Sequence, residues 1–162
     1  MNKLRIQRPI LGGFVATLAM TMLMYAAPLM GMPKMDVAAM LGSMLGGSWW
    51  LGLTMHFING TILFSLIYSY LFYPAVCARP WQKGTLWGLT LWFLAQVMVM
   101  PMMGSGFFSA QTASPVKSVM GSLLGHLLYG VILGAIVTTG SEAATACVRE
   151  ARTPDSGVPA PS

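Results

Sequence analysis

Long uncharged stretches separate a few short charged segments along this chain. No Asp, Glu, Lys or Arg occurs between Arg8 and Lys34, and the same holds for residues 37–78, 84–116 and 118–141. A helix needs roughly 20 apolar residues to cross a bilayer. The first and last stretches each have room for one crossing, and the two middle stretches each hold one crossing and a loop. The pattern therefore predicts four transmembrane helices.

The predicted fold is an all-α, integral membrane four-helix bundle that occupies residues 1–140. Asp36 can cap a short amphipathic helix over about residues 36–46, which is too short to span and is expected along the outer interface. The tail, residues 141–162, mixes charges with prolines and is expected to be disordered and cytoplasmic. The four spans are expected at about residues 9–30, 51–73, 84–102 and 114–140.

The charge distribution predicts an orientation and excludes one class of partner. Only 8% of the residues are charged, whereas a soluble domain carries about 25%. Seven basic residues fall on one predicted side of the membrane and two on the other. The positive-inside rule then places both termini of a multi-pass inner (plasma) membrane protein in the cytoplasm. The net charge of +5 thus encodes topology, and no nucleic-acid partner is expected.

Two matching pairs of motifs indicate an internal duplication. The order P-x-M-G, then H-x-x-x-G-x-I-L, occurs at residues 28–31 and 56–63 and again at residues 101–104 and 126–133. The interpretation is two tandem two-helix repeats, about residues 9–73 and 84–139. Because each repeat has an even number of spans, a pseudo-two-fold axis along the membrane normal should relate the two.

The duplicated histidines are the main candidate site. His56 and His126 are the only histidines in the chain, and an ionisable residue within a span is a functional candidate by default. The P-x-M-G motifs should bring Met30 and Met103 to the same depth, near the outer face. Imidazole ligates haem iron, copper or zinc, and Met thioether favours Cu(I) or a haem of raised potential. These four residues are therefore the predicted metal ligands.

A bis-histidine haem b is the most specific hypothesis for a redox module, and copper is the lesser one. Gly60 and Gly130 lie one turn beyond each histidine and would leave room for a porphyrin face, so both join His56 and His126 as predicted cofactor-binding residues. The two imidazoles should approach each other across the bundle axis, with Gln96, Met30 or Met103 nearby.

Other functional classes stay open. The histidines could have a purely structural role and form hydrogen bonds between helices. Alternatively, they could line the pathway of a small channel or transporter. The chain could also be an accessory or scaffold subunit of a larger membrane complex, or form a homodimer. No paired carboxylates, phosphate loop or nucleophile–base spacing occurs, so no enzyme of the soluble type is expected. Cys77 and Cys147 are expected to be reduced on the cytoplasmic side.

Three motifs resemble those of an uncharacterised family of small four-helix bacterial membrane proteins. They are GFVATLAMT in the first span, P-x-M-G-x-x-x-x-D after it, and PMMGSGFF at the end of the third span. The resemblance covers about residues 10–140. It implies the four-helix topology, and it implies no activity and no functional residues.

Overall fold

The computed structural model describes residues 3–138, and this part of the chain contains helices and no strands. Four of the helices are long and apolar enough to cross a membrane, which confirms the helical class and the four predicted spans. We number the helices α1 (Lys3–Ala26, continued by a 3-10 turn at Ala27–Met30), α2 (Val37–Met44), α3 (Trp49–Ala75), α4 (Pro80–Met102) and α5 (Pro115–Thr138). The tail at residues 141–162 lies outside the described residues.

Two helix ends, both next to prolines, differ from the predicted ends of the spans. α4 begins at Pro80 and not near Gly84, because Pro80 suits a first turn and the Gln82 side chain accepts from the Arg79 N–H at 3.0 Å. Pro74 comes directly after the predicted end of the second span, but it lies inside the last turn of α3, which continues to Ala75. α3 therefore ends closer to α4 than the sequence predicts.

α5 is the helix around which the bundle packs. It lies against both α1 and α4, and α1 packs in turn against α3. α4 and α5 approach most closely where glycines face each other. A Cβ added at Gly130 would overlap the Gly84 carbonyl oxygen and lie 2.8 Å from the Gly88 nitrogen. Backbones can meet this closely only where side chains are minimal.

The contact between α1 and α3 follows the same rule. A Cβ added at Gly13 would lie 2.7 Å from the Gly60 carbonyl oxygen, and one at Gly60 would overlap the Thr17 hydroxyl. Thr17 is itself buried, and its hydroxyl donates to the Gly13 carbonyl at 2.7 Å. Both glycines are thus committed to helix packing.

Three π-helical turns interrupt α3 and α4, at Asn59–Leu63, Tyr68–Phe72 and Ala95–Val99. Each turn carries one buried residue, and these are Gly60, Tyr68 and Gln96 respectively. A π turn adds a residue to a helix and is frequent at functional sites. The three turns therefore set which residues of α3 and α4 point into the bundle.

Asp36 ties α1, α2 and α3 together at one end of the bundle, which we call the α2 end. Its carboxylate accepts from the Ala39 N–H at 2.9 Å, from Trp49 Nε1 at 3.0 Å and from the Tyr25 hydroxyl at 3.2 Å. Partial burial alone would raise the pKa of the Asp36 carboxyl. The three hydrogen bonds and the nearby Lys34 charge outweigh burial and hold this pKa below its usual range.

This lowered pKa predicts that the α2 end loosens in acid. A carboxyl whose pKa is lower in the folded state stabilises that state above its unfolded pKa, and the contribution is lost as the pH falls through the folded pKa. We expect amide exchange in α2 to accelerate as the pH falls below the usual Asp range, after correction for intrinsic exchange. Asp36→Asn should exchange quickly at every pH. An α2 that exchanges equally slowly in acid and at neutral pH would contradict this assignment.

The opposite end of the bundle is the Lys83 end, where residues 76–79 join α3 to α4. Cys77 lies in this loop and is disulfide-bonded, so the expectation of a reduced thiol is wrong. Disulfides are rare in reducing compartments, and this bond does not favour the predicted cytoplasmic placement of the loop. The inner-membrane location with cytoplasmic termini stays a prediction.

Candidate functional site

One buried face of α5 carries three polar side chains in a row. Ser118, Ser122 and His126 are each four residues apart, so they lie one above another along the helix. The two serines are 3% and 2% exposed. His126 Nδ1 lies 2.8 Å from the Ser122 carbonyl oxygen, and since a carbonyl can only accept, Nδ1 carries the proton. The His126 Nε2 lone pair is then free to accept a proton.

Polar groups continue this row toward the α2 end. The Thr112 hydroxyl lies 3.3 Å from the Ser118 hydroxyl and donates to the Ser109 carbonyl at 2.7 Å. The Ser109 hydroxyl donates to Gln96 Oε1 at 3.1 Å. Gln96 is fully buried on a π turn of α4, and its Nε2 has no hydrogen-bond partner in the structure. A buried amide N–H without a partner costs roughly 1–3 kcal/mol, so we expect a water molecule to be bound to Gln96 Nε2.

Below His126 the interior remains polar. The Tyr129 hydroxyl donates to the Gly60 carbonyl oxygen at 2.6 Å, which links α5 to α3. Three more buried polar atoms lack a hydrogen-bond partner among the described residues, namely Thr61 Oγ1, Tyr68 Oη and Trp87 Nε1. Unpartnered polar groups buried in an apolar bundle indicate bound water rather than a dry core.

Lys83 lies at the far end of this polar interior. Its side chain is 3% exposed although it carries an ammonium group. Lys83 Nζ donates to the Tyr73 carbonyl at 2.8 Å and lies 4.0 Å from the centre of the Tyr73 ring. An ionisable side chain inside a span is expensive and marks a functional path more often than a structural contact. We use the name polar row for Thr112, Ser109, Gln96, Ser118, Ser122, His126, Tyr129, Thr61, Tyr68, Trp87 and Lys83.

His56 is held by α1. Its Nε2 lies 3.0 Å from the Thr21 hydroxyl oxygen, and that hydroxyl donates its one hydrogen to the Thr17 carbonyl at 2.7 Å. His56 Nε2 is therefore the donor, and its Nδ1 lone pair is left without a hydrogen bond. The ring reaches a cavity of about 10 Å³ between α1, α3 and the segment that begins α2.

No hydrogen bond joins His56 to His126 in the described part of the chain. They are near enough to interact electrostatically. Each histidine instead donates a hydrogen bond to a nearby residue, His56 to the Thr21 hydroxyl and His126 to the Ser122 carbonyl oxygen. Gln96, expected beside them, bonds to Ser109 instead.

The surroundings of the histidines do not fit a haem. Gly60 contacts Thr17, and Gly130 contacts the α4 backbone, so neither glycine leaves an open face for a porphyrin. The cavity at His56 is far smaller than a porphyrin ring. Haem ligation by His56 and His126 gains no support from this packing.

The predicted methionine ligands are not the ones nearest His56. Met30 is 69% exposed and lines a cavity of about 150 Å³ at the α2 end, and Met103 lines neither cavity. Met24 and Met35 instead share the small cavity with His56. No group of three or more His, Cys, Asp or Glu that could hold a metal occurs in residues 3–138.

Comparison with known proteins identifies a family but no activity. A model for a family of unknown function, DUF6789, matches residues 4–148. The match spans most of the chain, so the chain belongs to this family. No curated protein and no solved structure matches it.

Proposed function

We propose that this member of the DUF6789 family conducts protons along the polar row. The observation that carries the proposal is the alignment of Ser118, Ser122 and His126 on one face of α5, where the two serines are buried and His126 is partly buried. Hydroxyl groups and bound water can pass a proton along hydrogen bonds, and imidazole is the side chain that exchanges a proton near neutral pH. His126 is the proposed relay: Nε2 accepts a proton, and Nδ1 passes its proton to the Ser122 hydroxyl, whose oxygen lies 3.5 Å away.

The position of the unpartnered atoms supports a hydrated path. Gln96, whose Nε2 lacks a partner, lies in the half of α4 nearer the α2 end, whereas Tyr68 and Trp87 lie in the halves of α3 and α4 nearer the Lys83 end. Water at these atoms would supply the hydrogen bonds that the side chains lack and would extend the row in both directions. A buried Lys83 ammonium at one end would exclude other cations while leaving proton exchange open.

The close helix packing favours a proton over a larger solute. α4 and α5 meet backbone to backbone at Gly84 and Gly130, and α1 and α3 meet at Gly13 and Gly60. Such seams leave no continuous pore for a solute that must move as a whole. A proton moves by exchange along hydrogen bonds and needs no pore of that width.

The test is proton flux into liposomes that contain the full-length protein. A potassium gradient with valinomycin drives uptake, and a trapped pH-sensitive dye reports it. We expect flux above that of protein-free liposomes, and we expect His126→Gln to lower it by about tenfold or more because an amide cannot relay a proton at neutral pH. His56→Gln is the matched control, since it makes the same chemical change outside the row, and its flux should stay near the wild-type value.

Two results would contradict proton conduction. One is wild-type flux no greater than that of protein-free liposomes. The other is equal flux in the wild type and His126→Gln, with both proteins folded by circular dichroism.

We also propose that the two halves arose by duplication. Support comes from the P-x-M-G turns, which have the same backbone form. Gly31 has φ 76° and its N–H donates to the Pro28 carbonyl at 3.1 Å. Gly104 has φ 74° and its N–H donates to the Pro101 carbonyl at 3.0 Å. Only glycine adopts this left-handed cap at little cost, which explains its place in both motifs.

A further inference from the structure

We propose that His56, Met24 and Met35 form a binding site for one Cu(I) ion at the α2 end of the bundle. All three side chains line the same small cavity between α1, α3 and the segment that begins α2. The cavity volume, about 10 Å³, suits a single small ion and not an organic ligand. This site lies outside the polar row and does not depend on proton conduction.

The donor atoms determine the class of metal. Thioether sulfur is a soft ligand that selects Cu(I), and imidazole nitrogen binds copper readily. His56 Nε2 is engaged with Thr21, so Nδ1 is the atom with a lone pair to offer. This bond also fixes the orientation of the ring, as the outer partner of a metal-binding histidine usually does.

Charge favours a monovalent ion over zinc or Cu(II). The three donors are neutral, and the desolvation cost of burying an ion rises steeply with its charge. Asp36 is the closest compensating charge that the hydrogen bonds identify. It accepts from Tyr25 at 3.2 Å, and Tyr25 lines the cavity. Lys34 already lies near this carboxylate, so a divalent ion would leave more uncompensated charge in the cavity than Cu(I) would.

A methionine-lined route connects the site to the surface. Met24 and Met35 also line the larger cavity of about 150 Å³, together with Met30 and Met32. Met35 Sδ faces the α5 side of this space, since a Cβ added at Gly121 would lie 3.7 Å from it. The two cavities thus share a wall of two thioethers. A soft ion entering past the exposed Met30 would meet sulfur ligands before it reached His56.

The cation at the rim of the larger cavity is already engaged. Lys117 lines this cavity, and its Nζ donates to the Gly31 carbonyl oxygen at 3.2 Å. This bond directs the ammonium toward the backbone of the turn after α1. The charge of Lys117 should still slow the entry of a cation, so Lys117→Gln is expected to speed Cu(I) uptake without changing the number of ions bound.

The test is an anaerobic titration of the purified full-length protein in detergent with Cu(I), in competition with a chromogenic Cu(I) chelator. We expect one Cu(I) per chain. Met24→Leu with Met35→Leu should weaken binding by at least about tenfold, since loss of an outer partner alone costs about 10–100-fold. Leu matches Met in volume, so the fold should survive. Met98→Leu with Met102→Leu removes two exposed methionines as the matched control and should bind as the wild type does.

Two further measurements separate a metal site from methionines that only fill space. X-ray absorption of the Cu(I) protein should show both sulfur and nitrogen neighbours, and Thr21→Val should weaken binding by about 10–100-fold while leaving the sulfur neighbours in place. The proposal is overturned if the wild type binds no Cu(I) in competition with the chelator. It is also overturned if the control pair weakens binding as much as the Met24 and Met35 pair, or if the spectrum shows no sulfur.

Discussion

Gly130→Ala should unfold or severely destabilise the bundle. The new Cβ would overlap the Gly84 carbonyl oxygen and lie 2.8 Å from the Gly88 nitrogen, and both are backbone atoms of α4 that cannot rotate away. Overpacking costs typically 1–3 kcal/mol, and we expect about 3 kcal/mol here because whole helices must separate. The measurement is the free energy of unfolding in a detergent titration followed by circular dichroism.

Gly125→Ala is the control for this prediction. It lies on the same helix and is also buried, but its new Cβ would meet only flexible side chains, those of Met20 at 3.4 Å and Met24 at 3.9 Å. Alanine favours the helix by up to about 1 kcal/mol over glycine, so this variant should be as stable as the wild type or slightly more so. If the two alanine variants unfold at the same detergent concentration, the close contact between α4 and α5 is not what limits stability.

Gly52→Ala should release α2 while leaving the four long helices folded. A Cβ added at Gly52 would overlap the Ala38 carbonyl oxygen and lie 2.9 Å from the Ala38 carbonyl carbon. Because α2 is held at one end of the bundle only, it can move away as a unit. We expect amide exchange in Val37–Met44 to become about 100-fold faster, equivalent to about 3 kcal/mol of lost local stability.

Thr54→Ala is the control for the effect of Gly52→Ala on α2. Thr54 lies half a turn from Gly52, is exposed, and its hydroxyl bonds only to the Trp50 carbonyl at 2.9 Å. Exchange in α2 should stay at the wild-type rate in this variant. Protection of α2 that survives Gly52→Ala would mean that Asp36 and Trp49 hold the helix without the close backbone contact.

The spans could be predicted because hydrocarbon admits so few residue types. Uncharged runs of the right length located all four spans, and the Asp36 cap indicated a short helix in between. The ends were harder to predict, because a proline is tolerated wherever its missing N–H has no partner to lose. Pro80 opens α4 for this reason, whereas α3 continues for one residue past Pro74.

The sequence predicts the two histidines of the candidate site but not the residues that surround them. His56 and His126 stood out as ionisable residues within spans, but their partners depend on contacts between distant segments. Met35 reaches the cavity of His56 from a loop, and no spacing rule connects the two. The polar face of α5 was readable, since Ser118 and Ser122 precede His126 at four-residue intervals. Serine is also common in membrane helices for packing alone, so this spacing by itself does not predict a functional face.

The π turns explain why helical faces could not be extended across α3 and α4. An extra residue in a helix rotates everything after it by about 100° relative to everything before it. Tyr68 and Gln96 each lie on such a turn and point inward. A sequence pattern assumes a constant period, so it assigns residues beyond the turn to the wrong face.

The central place of α5 also has a consequence for biogenesis. Of the four spans, α5 is the last to leave the ribosome, yet it alone packs on both α1 and α4 and bonds to α3 through Tyr129. Until it enters the membrane, the glycine face of α4 has no partner and the bond from Tyr129 to Gly60 cannot form. The first three helices must therefore wait in the bilayer, or beside the insertion machinery, as an open assembly. The bundle closes in one late step, and a chain that stalls before α5 would be a substrate for membrane quality control.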